Sequence, residues 1–559
     1  MTQRRRLAEH FRFTRIAIAT VLPLATISGC AGPLEKSYVP AVDPASLREV
    51  ESITLEDHSL SEPVTVDDAS AGLMKKIDSL DFPAPAERIE LTLAESRAAA
   101  LANNLDLAVE LFNPSIAAES QSEEEAKFES TFFGSARRSV LDSPTALQTE
   151  GSQIVNNQYD LGVNVPLRTG GTATIDLPLS DTDTNNPFSL LNPSYNTDLR
   201  FSISQPLLRG AWDDANIHSI RVARLDALAT DARTKLEAIR ILANADRAYW
   251  RVYAARRALD VSQQQYELAV AQLEQARRRV AAGDAAEIEV TRAESGLAQR
   301  LEAIIVADNA VRRTQRDLKR IMNRDDLPMN GPTAVLIATE PAPVGLELDA
   351  DALARRALEN RMEMLELELQ LAIDASTIDF QRNAALPLFT VDYTYNIGGL
   401  SSSYGGAFDQ IADRSFEDHA FGLRGEIPIG NEAAKSRVNR AILQRLQRLA
   451  TKEQRRAAIQ QEVFDALDQL TETWQRILAA RQAVILAGRT YDGERRQFQL
   501  GLRTSTDVLD AAASLADAQY NEIQALVDHQ IAKVDIAFAT GTLLGHDRIH
   551  WTPALPPAD

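Results

Sequence analysis

Arg503, Asp507 and Asp510 are spaced so that, on a helix begun by Arg503, all three charges share one face. Two carboxylates and a guanidinium in that array can pair with one another or cap a helix N-terminus. They follow Gly501, which suits the left-handed end of an incoming helix. Between the glycine and the carboxylates lie Thr504, Ser505 and Thr506, hydroxyl residues fitted to start a new helix. The stretch reads as a tip where a long helix turns back. Ordinary helix-end electrostatics accounts for it unless it recurs elsewhere.

Other residues of chemical interest carry less. Asp181-Thr182-Asp183-Thr184-Asn185 resembles the start of a calcium loop, but Asn186 stands where the loop needs glycine and Asn192 where it needs glutamate. It is expected to be a polar external loop. His546 and His550 are four apart near Pro553 with no third ligand, and are expected to be exposed tail residues. The 6 Met and 7 His are scattered, giving no sign of a path for soft metal ions. No nucleophile elbow, phosphate loop or zinc-binding helix motif occurs. The expectation is a protein that is not an enzyme and holds no metal or cofactor.

The amino terminus sets the compartment. Arg4, Arg5, Arg6, Arg12 and Arg15 precede an apolar run from Ile16 to Ile27, too short to span a bilayer as a helix. It runs into Ile27-Ser28-Gly29-Cys30, which resembles a bacterial lipobox, and Cys30 is the chain's single cysteine. Lipidation of Cys30 is expected, with Ala31 after it favouring the outer membrane by the same resemblance. Loss of residues 1–29 takes the formal net charge from −20 to about −24, the wrong sign for nucleic acid. No later stretch offers eighteen consecutive apolar residues, so any further membrane entry must use strands.

Six segments follow from the pattern: a signal peptide at 1–29, a lipidated acidic tether at 30–88, a first repeat at 90–327, a linker at 328–348, a second repeat at 349–545 and a tail at 546–559. Each repeat opens on a helix (Leu91-Thr92-Leu93-Ala94-Glu95, answered by Leu348-Asp349), passes into period-two segments and ends in a long helical hairpin. The expected strands are near 131–134, 159–165, 172–179, 199–204, 388–395 and 420–427. The 159–179 pair forms an additional hairpin, and a Gly/Ser-rich loop spans 398–406. Their aromatic ends and length suit a tilted transmembrane strand, with a small soluble sheet as the competing reading. Proline is absent from Leu207 to Leu327 and from Ile429 to Thr552, room for helices of about 70 residues or roughly 100 Å. Within them Gly283 matches Gly501 and Val290 matches Val508, so the tip recurs.

Four to six strands cannot close a membrane barrel alone, so several chains must combine into a ring. The fold class expected is an α+β membrane protein, a long α-helical coiled-coil barrel continuous with a transmembrane β-barrel, built from two internal repeats per chain. With the repeated helix opening, Gln205-Pro206-Leu207-Leu208-Arg209-Gly210, and Phe498-x-x-Gly501 before Asp507-Val508-Leu509-Asp510-Ala511, the chain resembles the TolC family of outer-membrane efflux channels in a lipoprotein form. The resemblance covers about residues 90 to 545.

It implies a homotrimer with a 12-stranded outer-membrane barrel and a periplasmic helical barrel; the additional hairpin at 159–179 departs from that pattern, and either changes the strand count or lies outside the membrane. Such a trimer is the passive exit duct of a tripartite efflux or type I secretion system, joined through a periplasmic adaptor to an inner-membrane transporter. It implies a periplasmic gate at the helix tips, with Arg503, Asp507, Asp510 and the first-repeat partner Glu289, and Phe498 where the family has tyrosine. Adaptor docking falls on Gly283, Gly501 and Leu502. Phe498 lacks the hydroxyl of that tyrosine, so closure is expected to lean on Arg503 and packing. A periplasmic lipoprotein scaffold without a pore is the competing function.

Overall fold

The computed structural model describes residues 87–145 and 151–546, together with Val66, Ala69 and Ser70. The chain divides into two units, Met1–Lys75 and Lys76–Asp559, and every element below belongs to the second. The expected lipidation at Cys30, the signal peptide and His550 lie outside the described residues.

Strand β1 (Arg88–Leu91) is followed by Thr92, whose hydroxyl accepts the Glu95 N–H at 3.2 Å while the Glu95 carboxylate accepts the Thr92 N–H at 2.8 Å. This reciprocal cap starts α1 (Leu93–Asn103) where the sequence places it. Asn104 caps α2 (Leu105–Glu110), and α3 (Phe112–Ala126) leads to the sheet. There β2 (Thr131–Asp142), β3 (Gln153–Pro166), β4 (Thr172–Thr184) and β5 (Ser194–Pro206) follow in succession. After a single turn, α4 (Asp213–Asn216), the chain runs down α5 (His218–Ala281) and back up α6 (Ile288–Met322).

Strand β6 (Ala334–Ile337) pairs in parallel with β1. Then come α7 (Ala350–Asn360), α8 (Met362–Ala384), β7 (Leu388–Ser401), α9 (Tyr404–Ala412) and β8 (Glu417–Glu426). The second long hairpin is α10 (Glu432–Gln499) and α11 (Ser505–Ala539), closed by α12 (Leu543–His546).

The six long strands form one antiparallel sheet in the order β2-β3-β4-β5-β7-β8. Register sorts its side chains: Phe132, Val163, Ile175, Phe201 and Tyr395 are successive partners on one face. Asp160, Asp176, Arg200 and Asn396 lie on the other. The apolar face is open, with Phe132 at 74% and Phe421 at 75% exposure, as expected of a surface made for lipid. No described helix is long and apolar enough to cross a membrane.

The additional hairpin lies in the sheet, so the chain contributes six strands, the upper end of the four to six expected. Two expectations are corrected. The Gly/Ser-rich segment 398–406 is not a loop: β7 runs to Ser401, and the Ser403 hydroxyl caps α9 by accepting the Gly406 N–H at 3.3 Å. Asp181 to Thr184 continue β4 instead of forming a polar loop, because Asp181 is gripped on the sheet face by Asn157 Nδ2 (2.7 Å) and by Tyr404 Oη (2.9 Å) from α9.

The helical part has several small cores instead of one large one. Tyr266, Ala269, Leu273 and Ala276 of α5 meet Ala293, Leu297, Leu301 and Ile304 of α6 at three- and four-residue steps, the spacing of a coiled-coil seam. Where β1 and β6 cross these helices, Tyr249, Leu318 and Val335 are fully buried. The Tyr249 hydroxyl donates to the Leu91 carbonyl (2.9 Å) and accepts the Thr339 N–H (3.0 Å). It ties the linker to the long helix. Nearby, Arg97 grips the buried Asp246 with two 2.8 Å contacts, against the burial that pushes this carboxyl up.

Candidate functional site at the paired helix tips

Both hairpins turn by the same device. Gly283 has φ +81° and Gly501 φ +77°. At the first tip the Gly283 and Asp284 N–H groups donate to Val280 and Arg279. At the second, those of Gly501 and Leu502 donate to Phe498 and Gln497. This is the Schellman end, which needs a left-handed residue and so favours glycine. Leu500 (75%), Leu502 (72%) and Ile288 (53%) project from the tips as exposed apolar side chains.

The outgoing helix begins at Ser505, two residues later than an Arg503 start, and Thr504 is its N-cap. That shift separates the charge triad. Asp507 becomes the third helical residue, and its carboxylate accepts from the Thr504 N–H (2.9 Å) and hydroxyl (2.8 Å). Those two bonds, backbone first, hold the carboxyl below its ordinary value. Arg503 lies in the turn and reaches back to the incoming helix, with Nε 3.0 Å from Gln497 Oε1 and 3.1 Å from Glu494 Oε2. Asp510 is exposed one turn into α11.

Glu289, in the first turn of α6, joins the tips. One carboxylate oxygen accepts from the Ser505 hydroxyl (2.7 Å) and N–H (3.3 Å), while the other accepts from Arg292 (2.7 Å). Burial works to raise this carboxyl, but the Ser505 and Arg292 bonds outweigh it and hold it low. Glu289 thus caps a helix of the other hairpin, on the same N-terminus that Asp507 caps from within. Phe498 is 3% exposed, and the Arg279 guanidinium from the first hairpin lies 4.9 Å from its ring centre. A Cβ on Gly296 of α6 would come within 3.1 Å of Leu509 of α11, so the hairpins also touch closely there.

Sequence reasoning named Glu289, Phe498, Arg503 and Asp507, gave Ser505 only as one of the residues that start a helix, and did not name Arg279, Glu494 or Gln497, the other partners. Ser505 stands in a run of three hydroxyl residues, any of which could have faced the neighbour. His546 is exposed at the end of α12, as expected. Among the described residues no cluster of His, Cys, Asp or Glu fits a metal ion.

A sheet with one lipid-suited face, continued by long helical hairpins whose tips meet, is the protomer build of an outer-membrane channel. Residues 353–542 match the family model "Outer membrane efflux protein". Outer membrane protein TolC of Escherichia coli is 24% identical over 362 residues, 63% of this chain and 72% of that protein. Two solved outer-membrane channels share the fold. Campylobacter jejuni CmeC has a TM-score of 0.59 at 15% identity, covering 84% of this chain and 91% of its own. The open state of Neisseria gonorrhoeae MtrE has a TM-score of 0.57 at 18% identity, covering 81% and 89%. The chain is thus similar to the outer-membrane efflux proteins, over residues 353–542 by the family model and over 63% of its length to TolC, and this similarity places it in the outer membrane of the Gram-negative type, extending into the periplasm.

Proposed function

We propose that the protein is the passive exit duct of a tripartite efflux or type I secretion system. In this reading a homotrimer conducts substrates from an inner-membrane transporter and periplasmic adaptor to the exterior and is gated at its periplasmic tips. The observation that carries the reading is the Glu289–Ser505 contact, a polar latch between neighbouring hairpin tips at the end of a helical body that begins in a membrane sheet. Six strands leave β2 and β8 with open edges, and lipid cannot satisfy an edge, so further copies must complete the barrel. The adaptor docks on the tips at Gly283, Gly501 and Leu502, where Leu500 and Leu502 supply apolar contacts. Asp507 and Asp510 set the cation preference of the aperture. A lipid on Cys30 anchors the chain in the outer membrane.

The test is purification from outer membranes, unheated gel mobility and conductance in planar lipid bilayers. Trimers that dissociate on heating and form cation-preferring channels support the reading. A monomer without conductance would sink it and leave a helical scaffold.

A further inference from the structure

The hairpin β3–β4 is an integral part of the wall. It lies between β2 and β5 and pairs along most of its length, from Thr131↔Asn164 to Asp142↔Gln153 on one side and, with a break at Leu177 and Pro178, from Thr172↔Ser204 to Thr182↔Ser194 on the other. Inserting two strands keeps every neighbour antiparallel, which one strand would not. Four of the six strand ends facing the helices connect to α3, α4, α8 and α10. The other two turn back at residues 167–171.

That turn is locked to the β5–α4 connection. The Trp212 N–H donates to the Thr169 carbonyl at 3.0 Å, the Thr169 hydroxyl donates to Gln205 Oε1 at 2.8 Å, and Gln205 Nε2 returns to the Thr169 carbonyl at 2.9 Å. Gly170 has φ +87°, and a Cβ there would sit 2.0 Å from the Gly210 carbonyl oxygen, so the two backbones are in close contact.

We propose that the outer-membrane barrel has eighteen strands and is as wide as the helical barrel beneath it, so that it passes bulky hydrated solutes as well as drug-sized ones. The inference rests on the trimeric channel reading. Strands about 4.8 Å apart and tilted about 40° each occupy about 6.3 Å of circumference, which gives about 113 Å for eighteen and about 75 Å for twelve. Four helices per chain, α3, α5, α8 and α10, meet the foot of the sheet; twelve of them about 9 Å apart span about 108 Å. Eighteen strands match that ring, whereas twelve would constrict it.

The backbone diameter is then about 36 Å, and about 26 Å remains after a side-chain layer of about 5 Å on each side. The connection between β7 and β8 leaves this bore open, because α9 packs on the lipid-suited face. Tyr404 sits 4.7 Å edge-on to Tyr195, and a Cβ on Gly399 would meet the Ala407 carbonyl at 2.1 Å. Polar side chains line the opposite face, including Asn164, Thr174, Asp176 and Arg200.

Thr174, on the inserted hairpin, faces the polar side, with its hydroxyl 3.1 Å from Asn164 Oδ1. In intact outer membranes, Thr174→Cys should react from outside with a small maleimide and, within about twofold, with a maleimide bearing a polyethylene glycol about 20 Å across, a size that an eighteen-stranded bore admits and a twelve-stranded one excludes. The parent protein serves as the background control. Labelling by the small reagent alone, in a protein that still runs as a trimer and conducts, overturns the wide barrel and leaves the channel. Labelling by neither reagent in such a trimer also overturns it, by taking the hairpin out of the wall. Absence of both trimer and conductance removes the channel reading itself.

Discussion

The carboxylate of Glu289 accepts two hydrogen bonds from Ser505, a fully buried residue on the other hairpin. Bonds to a charged acceptor are worth about 1.5–3 kcal/mol each, so this contact is a large share of the latch. Glu289→Gln keeps the shape and loses the charge, and is expected to destabilise the contact between the tips by about 1–3 kcal/mol. Bilayer recordings should show a higher mean conductance, and unchanged currents would mean that the latch does not hold the aperture.

The same latch predicts a pH response. Glu289 and Asp507 are both held below their ordinary values of 4.5 and 3.8 in the folded chain. The stability they add is therefore complete above those values and is lost as pH falls through the lowered ones. Channel currents should be steady between about pH 7 and 5 and rise only below about pH 4. A rise that begins near neutrality would assign the latch to other groups.

Phe498 should matter through burial and its cation–π partner, needing no hydroxyl. Phe498→Ala is expected to cost about 3–5 kcal/mol as a core deletion, and Arg279→Gln about 0.5–1 kcal/mol. A double-mutant cycle on denaturant unfolding of the detergent-solubilised protein, or on protease cleavage at the tips, should show coupling between them. Strict additivity would mean that the 4.9 Å approach carries no energy.

The two aspartates should separate in function. Asp510→Ala, at an exposed position, is expected to lower cation preference and block by multivalent cations with little change in stability. Asp507→Ala removes half of a capping box and should lower helix stability as well. Reversal potentials in salt gradients, measured beside thermal melting, distinguish the two. Equal effects of both substitutions on selectivity and melting would refute the division.

Gly283→Ala and Gly501→Ala meet no neighbouring atom within 4 Å, so their cost is purely conformational. At positive φ that cost is about 1–2 kcal/mol for each. Protease sensitivity at residues 280–286 and 498–504 should rise in step, whereas a neutral effect would mean that the Schellman ends re-form without glycine.

Much was legible in the chain because it depends on local periodicity. Proline-free amphipathic runs specify the long helices, Thr92 and Glu95 specify a capping box, and period-two stretches specify strands, each by contacts within a few residues. The expected strands were too short because Asn156 to Gln158 and Asp181 to Thr184 are polar on both faces, and only pairing with neighbouring strands makes them sheet. Gly398 to Ser401 were read as loop for the same reason. At the tips, residue types alone located the turn, the glycines and the carboxylates. Which of three consecutive hydroxyl residues meets Glu289, and that Arg503 turns toward Glu494 rather than Asp507, followed from where the second hairpin lies. Partner choice across hundreds of residues is set by packing of whole helices, and local sequence carries no record of it.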